Sequence, residues 1–195
     1  MTKLEQLIEQ LCPDGVDFHK LGEITTIKTG TKPKDILDYP TEYEYINAGT
    51  SNSGYTNTSN CEGDTVTTPS RGQGGIGFIG YQKNPFWLGP LCYKIKSVNE
   101  SQISNRFIYY YLCNNKDKIL KCKNEGGTPS VNVSDLARII IPIPPLEVQA
   151  EIVRILDTFT ELTTELTTEL ANRKKQYEYY RDKLLTFKEV GTSET

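Results

Sequence analysis

Leucine and isoleucine recur at Leu4, Leu7, Ile8 and Leu11, the spacing of one face of a helix, and Pro13-Asp14-Gly15 stops it. The pattern then changes. Ile24–Ile27, Tyr43–Asn47, Asp64–Thr68, Ile76–Tyr81 and Cys92–Lys96 are short runs rich in β-branched and aromatic residues. Gly, Asn, Ser and Pro clusters separate them, which predicts a compact sheet or barrel with long loops. Ser104 suits the N-cap of a helix running through Asn114 that buries Phe107, Ile108, Tyr111 and Leu112. A strand over Ile139–Ile143 closes the domain.

From Pro145, which suits a first helical turn, no Gly or Pro interrupts the chain until Gly191. Ile152, Ile155, Phe159, Leu162, Leu166, Leu170, Tyr177, Leu184 and Phe187 form one apolar stripe at steps of three, four or seven. About 43 residues make a helix of roughly 65 Å, too long to bury its stripe on one small domain, so it calls for another helix. Within it Phe159–Leu170 repeats as FTEL, TTEL, TTEL. A four-residue period exceeds 3.6, so the repeated leucines drift around the helix by about 40° per step. The fold class is α/β (α+β). A loop-rich domain with a mixed sheet spans 1–144, with an N-terminal helix over 3–11. A coiled-coil-forming helix spans 145–190 and a disordered tail spans 191–195.

A chain of 195 residues suffices for one domain and an appendage. Its longest purely aliphatic run, Ile139–Ile141, is too short to span a bilayer, and Glu5, Glu9 and Asp14 do not suit a signal peptide. A cytoplasmic protein is expected. Five widely spaced cysteines without a C-x-x-C pattern suggest reduced, mostly buried thiols, with no zinc site or disulfide framework. His19 is the single histidine, which leaves little room for histidine catalysis or a metal cluster. The net charge of −3 is unevenly spread: residues 20–138 carry fourteen basic and eleven acidic groups. Local balance governs phosphate binding, so this mildly basic middle is compatible with DNA.

Gly72-Gln73-Gly74-Gly75-Ile76-Gly77 fits G-x-G-x-x-G, but a strand-like stretch comes next, where a dinucleotide fold needs a helix. It reads instead as a flexible loop from which Arg71 and Gln73 could reach base edges, or as a plain turn. Asn84-Pro85-Phe86-Trp87 approaches the N-P-P-F/Y/W pattern of DNA amino-methyltransferases but lacks the second proline. Pro13-Asp14, Asp17 and Lys20 miss the nuclease spacing. No catalytic constellation emerges. Lys28, Thr31 and Lys32 offer phosphate-binding groups, as do Asn52, Ser53 and Tyr55, and then Lys123 and Thr128; solvated surface is the alternative for each.

Ile141-Pro142-Ile143-Pro144-Pro145-Leu146-Glu147-Val148-Gln149, leading into a long helix, resembles the conserved region of type I restriction–modification specificity subunits. Gly126–Asn132 with Leu136, Lys20-Leu21-Gly22-Glu23-Ile24 and the terminal Gln176–Phe187 resemble that family's other conserved segments. The resemblance implies a target recognition domain on a long helix that packs antiparallel with another. It further implies double-stranded DNA as ligand, a methyltransferase subunit holding S-adenosylmethionine, and a restriction subunit using ATP and Mg²⁺. Neither catalysis nor a cofactor is expected in this chain. Family members carry two recognition domains and two helices, whereas one of each is present here. A homodimer through the apolar stripe is therefore expected, with a truncated or recombining cassette as the alternative. Competing readings are a stand-alone methyltransferase or nuclease, and a structural coiled-coil protein.

Overall fold

A computed structural model describes residues 1–72, 74–124 and 127–187. Helix α1 (Lys3–Leu11) is closed by a reciprocal cap: the Thr2 hydroxyl accepts the Glu5 N–H while the Glu5 carboxylate accepts the Thr2 N–H. Strand β1 (Asp17–Lys20) runs into one helical turn, α2 (Leu21–Ile24), and then β2 (Thr25–Thr29). The expected strand at Ile24 thus begins at Thr25. Leu21 and Ile24 both reach the core at helical spacing, and the Glu23 carboxylate accepts the Lys20 N–H, which favours the turn. Gly22 fits against Ala137, whose Cβ would lie 2.7 Å from any Cβ added at Gly22. That close approach is what the glycine of the Lys20–Ile24 segment provides.

Strands β3 (Tyr43–Ile46), β4 (Tyr55–Thr56), β5 (Thr65–Pro69), β6 (Gly80–Gln82), β7 (Trp87–Leu88) and β8 (Cys92–Ser97) come next along the chain. An antiparallel sheet has the order β2-β8-β5-β6, and a second has the order β4-β3-β7 with β3 and β7 parallel. The sheet content is mixed, as expected. Between Ile76 and Phe78 no strand forms, because the Phe78 N–H closes a turn on the Gly75 carbonyl. Helix α3 (Asn105–Asn114) is capped by Ser104, whose hydroxyl accepts the Phe107 N–H. Helix α4 (Lys116–Leu120), strands β9 (Lys123–Asn124) and β10 (Ser130–Val131), α5 (Val133–Leu136) and β11 (Ile140–Ile143) complete the domain. Strand β11 pairs antiparallel with β1.

Strand alternation divides the core. Ile27, Ile95 and Val66 stand in register and face the main core with Ile108, Leu112, Ile119 and Leu136. On the other face Cys92 joins Cys61, Phe86 and Leu88. Phe86 of the Asn84–Trp87 segment is 1% exposed and serves packing, while the Trp87 indole N–H donates to the Thr31 carbonyl. Burial pushes the Cys92 thiol up to about 12, which keeps it protonated. All five cysteines are free; Cys61 and Cys92 are buried and the other three partly so.

Helix α6 (Leu146–Leu185) begins after Pro145, whose carbonyl accepts the Val148 and Gln149 N–H groups. Gln149 is fully buried and fully used. Its carbonyl accepts the Ser104 N–H, and its amide donates to the Gln102 and Pro144 carbonyls at 2.9 and 2.8 Å. The glutamine of the P-P-L-x-x-Q segment therefore locks the helix root to the start of α3. Gln149→Leu leaves those three backbone groups without partners and is expected to cost about 3 kcal/mol. Urea unfolding checks this, and a change of about 0.5 kcal/mol or less would mark the site as unimportant.

The chain divides into two units, residues 1–153 and 154–195. Val148, Gln149 and Glu151 are buried, so the first turns of α6 belong to the first unit. Residues 158–187 are all exposed. Thr158, Thr160, Thr163, Thr164, Thr167 and Thr168 each donate a hydroxyl hydrogen bond to the carbonyl four residues earlier. The hydroxyls are thus satisfied within the helix, while threonine stays weak in helix propensity and such back-bonding favours a slight bend. Residues 188–190, expected as helix, and the tail 191–195 lie outside the described residues.

Candidate nucleic-acid interface

The loop entering β8 gathers the segments singled out in the sequence. Leu91 lies at the centre: its carbonyl accepts the Ser70 N–H, and its N–H donates to the Asn47 side chain. Gly89 N–H donates to the Ile46 carbonyl, and the Thr31 N–H to the Leu88 carbonyl. Gly30 crosses so near that a Cβ there would sit 1.8 Å from the Leu88 oxygen. Gly75 lies against Gly49 and Pro69. The Gly72 N–H donates to the Pro129 carbonyl, and Arg71 bridges Ser130. Loops near residues 30, 50, 72, 90 and 128 thus meet at one end of the main sheet, which fixes the spacing of side chains far apart in sequence.

Arg71 and Thr128 are exposed on adjoining loops, and Lys123 stands half-buried on the paired strand β9. The Arg71 guanidinium opposes the rise that burial imposes on the Tyr93 phenol, whose hydroxyl donates to the Val131 carbonyl. Thr31 and Lys32 are exposed beside the Leu88 contact. Asn52 and Ser53 lie on the loop from β3 to β4, and the Asn52 amide donates to Glu44, which occupies one of its donors. A cavity of about 240 Å³ lies behind this loop, lined by Asn47, Asn52, Thr67, Phe78 and Gln82. Tyr55 is half-buried on β4, paired through its backbone with Leu37. Gln73 lies outside the described residues, as does Gly126.

Register reveals two features that linear reading misses. Lys28 on β2 stands directly opposite Lys94 on β8. Like charges so placed repel, and an anion between them relieves the repulsion. The second is an open hollow lined by Lys118, Lys121, Lys123, Arg138 and the carboxylate of Asp135. It continues from the β9–β10 pair, and so extends the loop cluster with a basic surface. Only the pairing of strands exposes Lys94; the hollow depends on helix and hairpin meeting in space.

The apolar stripe of α6 changes role along its length. Ile152 packs against the main core of its own unit, and Ile155 is half-buried. Phe159, Leu162, Leu166, Leu170, Tyr177 and Leu184 are exposed, from 49% at Leu162 to 70% at Leu184, whereas Phe187, expected in the stripe, lies beyond the last helical residue, Leu185, and is 81% exposed. Among the described residues no helix is long and apolar enough to cross a membrane.

Comparisons with known proteins agree with this architecture. A putative type I restriction enzyme specificity subunit of Haemophilus influenzae is 35% identical over 97% of this chain and 50% of its own length. A type I restriction enzyme specificity subunit of Escherichia coli is 34% identical over 97% of the chain and 48% of its own length. The chain spans about half the length of the curated relatives it matches. Its fold is similar to that of the S subunit of a type I restriction–modification system from M. genitalium, with TM-score 0.72 at 22% identity, over 87% of this chain and 46% of that one. Residues 13–175 match the family model described as the type I restriction modification DNA specificity domain, and the chain belongs to that family.

Proposed function

We propose that this chain reads DNA sequence for a type I restriction–modification complex and performs no chemistry itself. The observation that carries the reading is the convergence of five loops at one end of the β2-β8-β5-β6 sheet, in a chain of this family. Arg71 and Thr128 face a groove from that cluster, while Lys28, Lys32 and Lys94 hold phosphates beside it. Two copies join antiparallel through the exposed stripe of α6, which presents two identical readers to an inverted, bipartite target. A methyltransferase subunit brings S-adenosylmethionine, a restriction subunit brings ATP and Mg²⁺, and the assembly works on double-stranded DNA in the cytoplasm.

The test separates reading from holding. Arg71→Ala is expected to lose about 1–3 kcal/mol on the true site and to relax discrimination against altered sites. Lys32→Ala should weaken binding to every sequence and lower the salt dependence. Fluorescence anisotropy on matched and mismatched duplexes over a salt series measures both. Equal losses on all sequences for both variants would overturn the assigned roles.

A further inference from the structure

Helix α1 is nine residues long and buries none of them. Ile8 and Leu11 are 43% and 42% exposed, with Leu4 and Leu7 half-buried beside them. The helix is nonetheless held at a defined place: the Lys3 ammonium meets the buried Glu151 carboxylate at 2.9 Å, so α1 lies beside the first turns of α6. A capped, anchored helix with an open apolar side leaves that side for another surface.

Charge says which surface. The first nineteen residues carry four carboxylates against Lys3 alone. Along α6, residues 146–172 carry six carboxylates against Arg154, a net of −5, whereas 173–187 carry five cations against Glu178 and Asp182, a net of +3. The helix is therefore acidic at its root and basic at its end. Parallel pairing of two copies would set −5 beside −5; antiparallel pairing sets each basic end beside an acidic root. In full antiparallel overlap the helix positions facing each other sum to a constant near 331, given bounds of 146 and 185. Glu151, the anchor of α1, then lies level with Tyr180 of the second copy.

We infer that α1 is a docking site for the basic, aromatic end of α6 from a second copy of this chain. Tyr177, Tyr180 and Leu184 cover Ile8 and Leu11, while Lys174, Lys175 and Lys183 stand close to Glu9 and the acidic root. Each end of the dimer becomes a three-helix seam and not a bare helix pair. The charge pattern makes the orientation a property of the chain itself. This inference rests on the antiparallel dimer proposed above.

Ile8→Lys with Leu11→Lys places cations on the open side of α1 and leaves its cap and its Lys3 anchor intact. Sedimentation equilibrium should show a dimer Kd at least about tenfold higher, with an unchanged thermal melt. Glu9→Lys alone should raise Kd about threefold at low salt, and combining it with Lys174→Glu and Lys175→Glu should recover most of that loss. The recovery should vanish at high salt. A wild-type Kd in the Ile8/Leu11 variant, or no recovery in the combined variant, overturns the docking site while the dimer itself stands. A wild-type protein that is monomeric throughout overturns the dimer and the docking site together.

Discussion

Leu162→Asp combined with Leu166→Asp is expected to convert a dimer into monomers at micromolar concentration. Both leucines are exposed on α6, at 49% and 65%. A two-fold interface repeats every substitution, so four leucines leave the seam for each dimer. At about 1.5 kcal/mol for each lost apolar side chain, the deficit reaches about 6 kcal/mol, or roughly four decades in Kd. Four carboxylates in an apolar contact, among the glutamates Glu161, Glu165 and Glu169, add repulsion and desolvation to that figure. The first unit should remain folded, since none of its core residues changes. Light scattering at several concentrations reads the outcome. An unchanged oligomer would place the association elsewhere, and a monomeric wild-type protein would remove the basis of the bipartite target.

How far the chain can be read from its sequence depends on whether a signal is periodic or spatial. Helix α3 and its Ser104 cap, α1 with its proline stop, and the long α6 come from local spacing and capping chemistry, which act within a few residues. Strands are legible where a β-branched run is continuous, as in β5, or where apolar and charged residues alternate, as at Lys94-Ile95-Lys96 in β8. Short strands are not: β7 is two residues, and only its parallel pairing with β3 makes it a strand. Strand β1 escapes sequence reading for a related reason. Asp17-Phe18-His19-Lys20 has no apolar alternation, and its order comes from pairing with β11, some 120 positions away.

The candidate interface divides in the same way. Arg71 and Thr128 stand out because donor-rich loops carry them, and Lys28 because it leads into one from β2, yet nothing local tells that these loops touch. The contacts Gly72–Pro129, Gly75–Gly49 and Ser70–Leu91 supply that knowledge. Lys94 does not stand out, because a lysine inside a strand reads as solvated surface until register sets Lys28 opposite it. Gln149 is visible as part of a motif, but not as the side chain that satisfies three backbone groups between α6 and α3. The stripe reads as one continuous seam, whereas Ile152 serves the core of its own unit and the open seam lies farther along.

Adding one TTEL unit after Leu170 is expected to change the spacing of the DNA target without changing its half-sites. Each added unit lengthens α6 by about 6 Å and turns the downstream part of the helix by about 40° relative to the old register. A further unit can enter without breaking the helix, because the units already present lie within α6. Four residues inserted into a seam close to a 3.5-residue period loosen the supercoil locally and do not break it. In the proposed antiparallel dimer each loop-bearing unit is joined to the root of its own helix, so lengthening both helices should move the two units apart by about 6 Å. With base pairs about 3.4 Å apart, the unread spacer grows by roughly one to two base pairs if the paired helices run along the duplex. The loops proposed to read bases lie wholly in residues 1–153 and are untouched, so the half-sites should stay the same. The original site should be lost, because readers held at the wrong separation cannot contact both half-sites at once, and the avidity of paired binding disappears. Mapping methylated bases with the partner methyltransferase present gives the answer directly: the same half-sites around a longer gap. Altered half-sites, or the old gap at full activity, would show that the helix does not measure the distance.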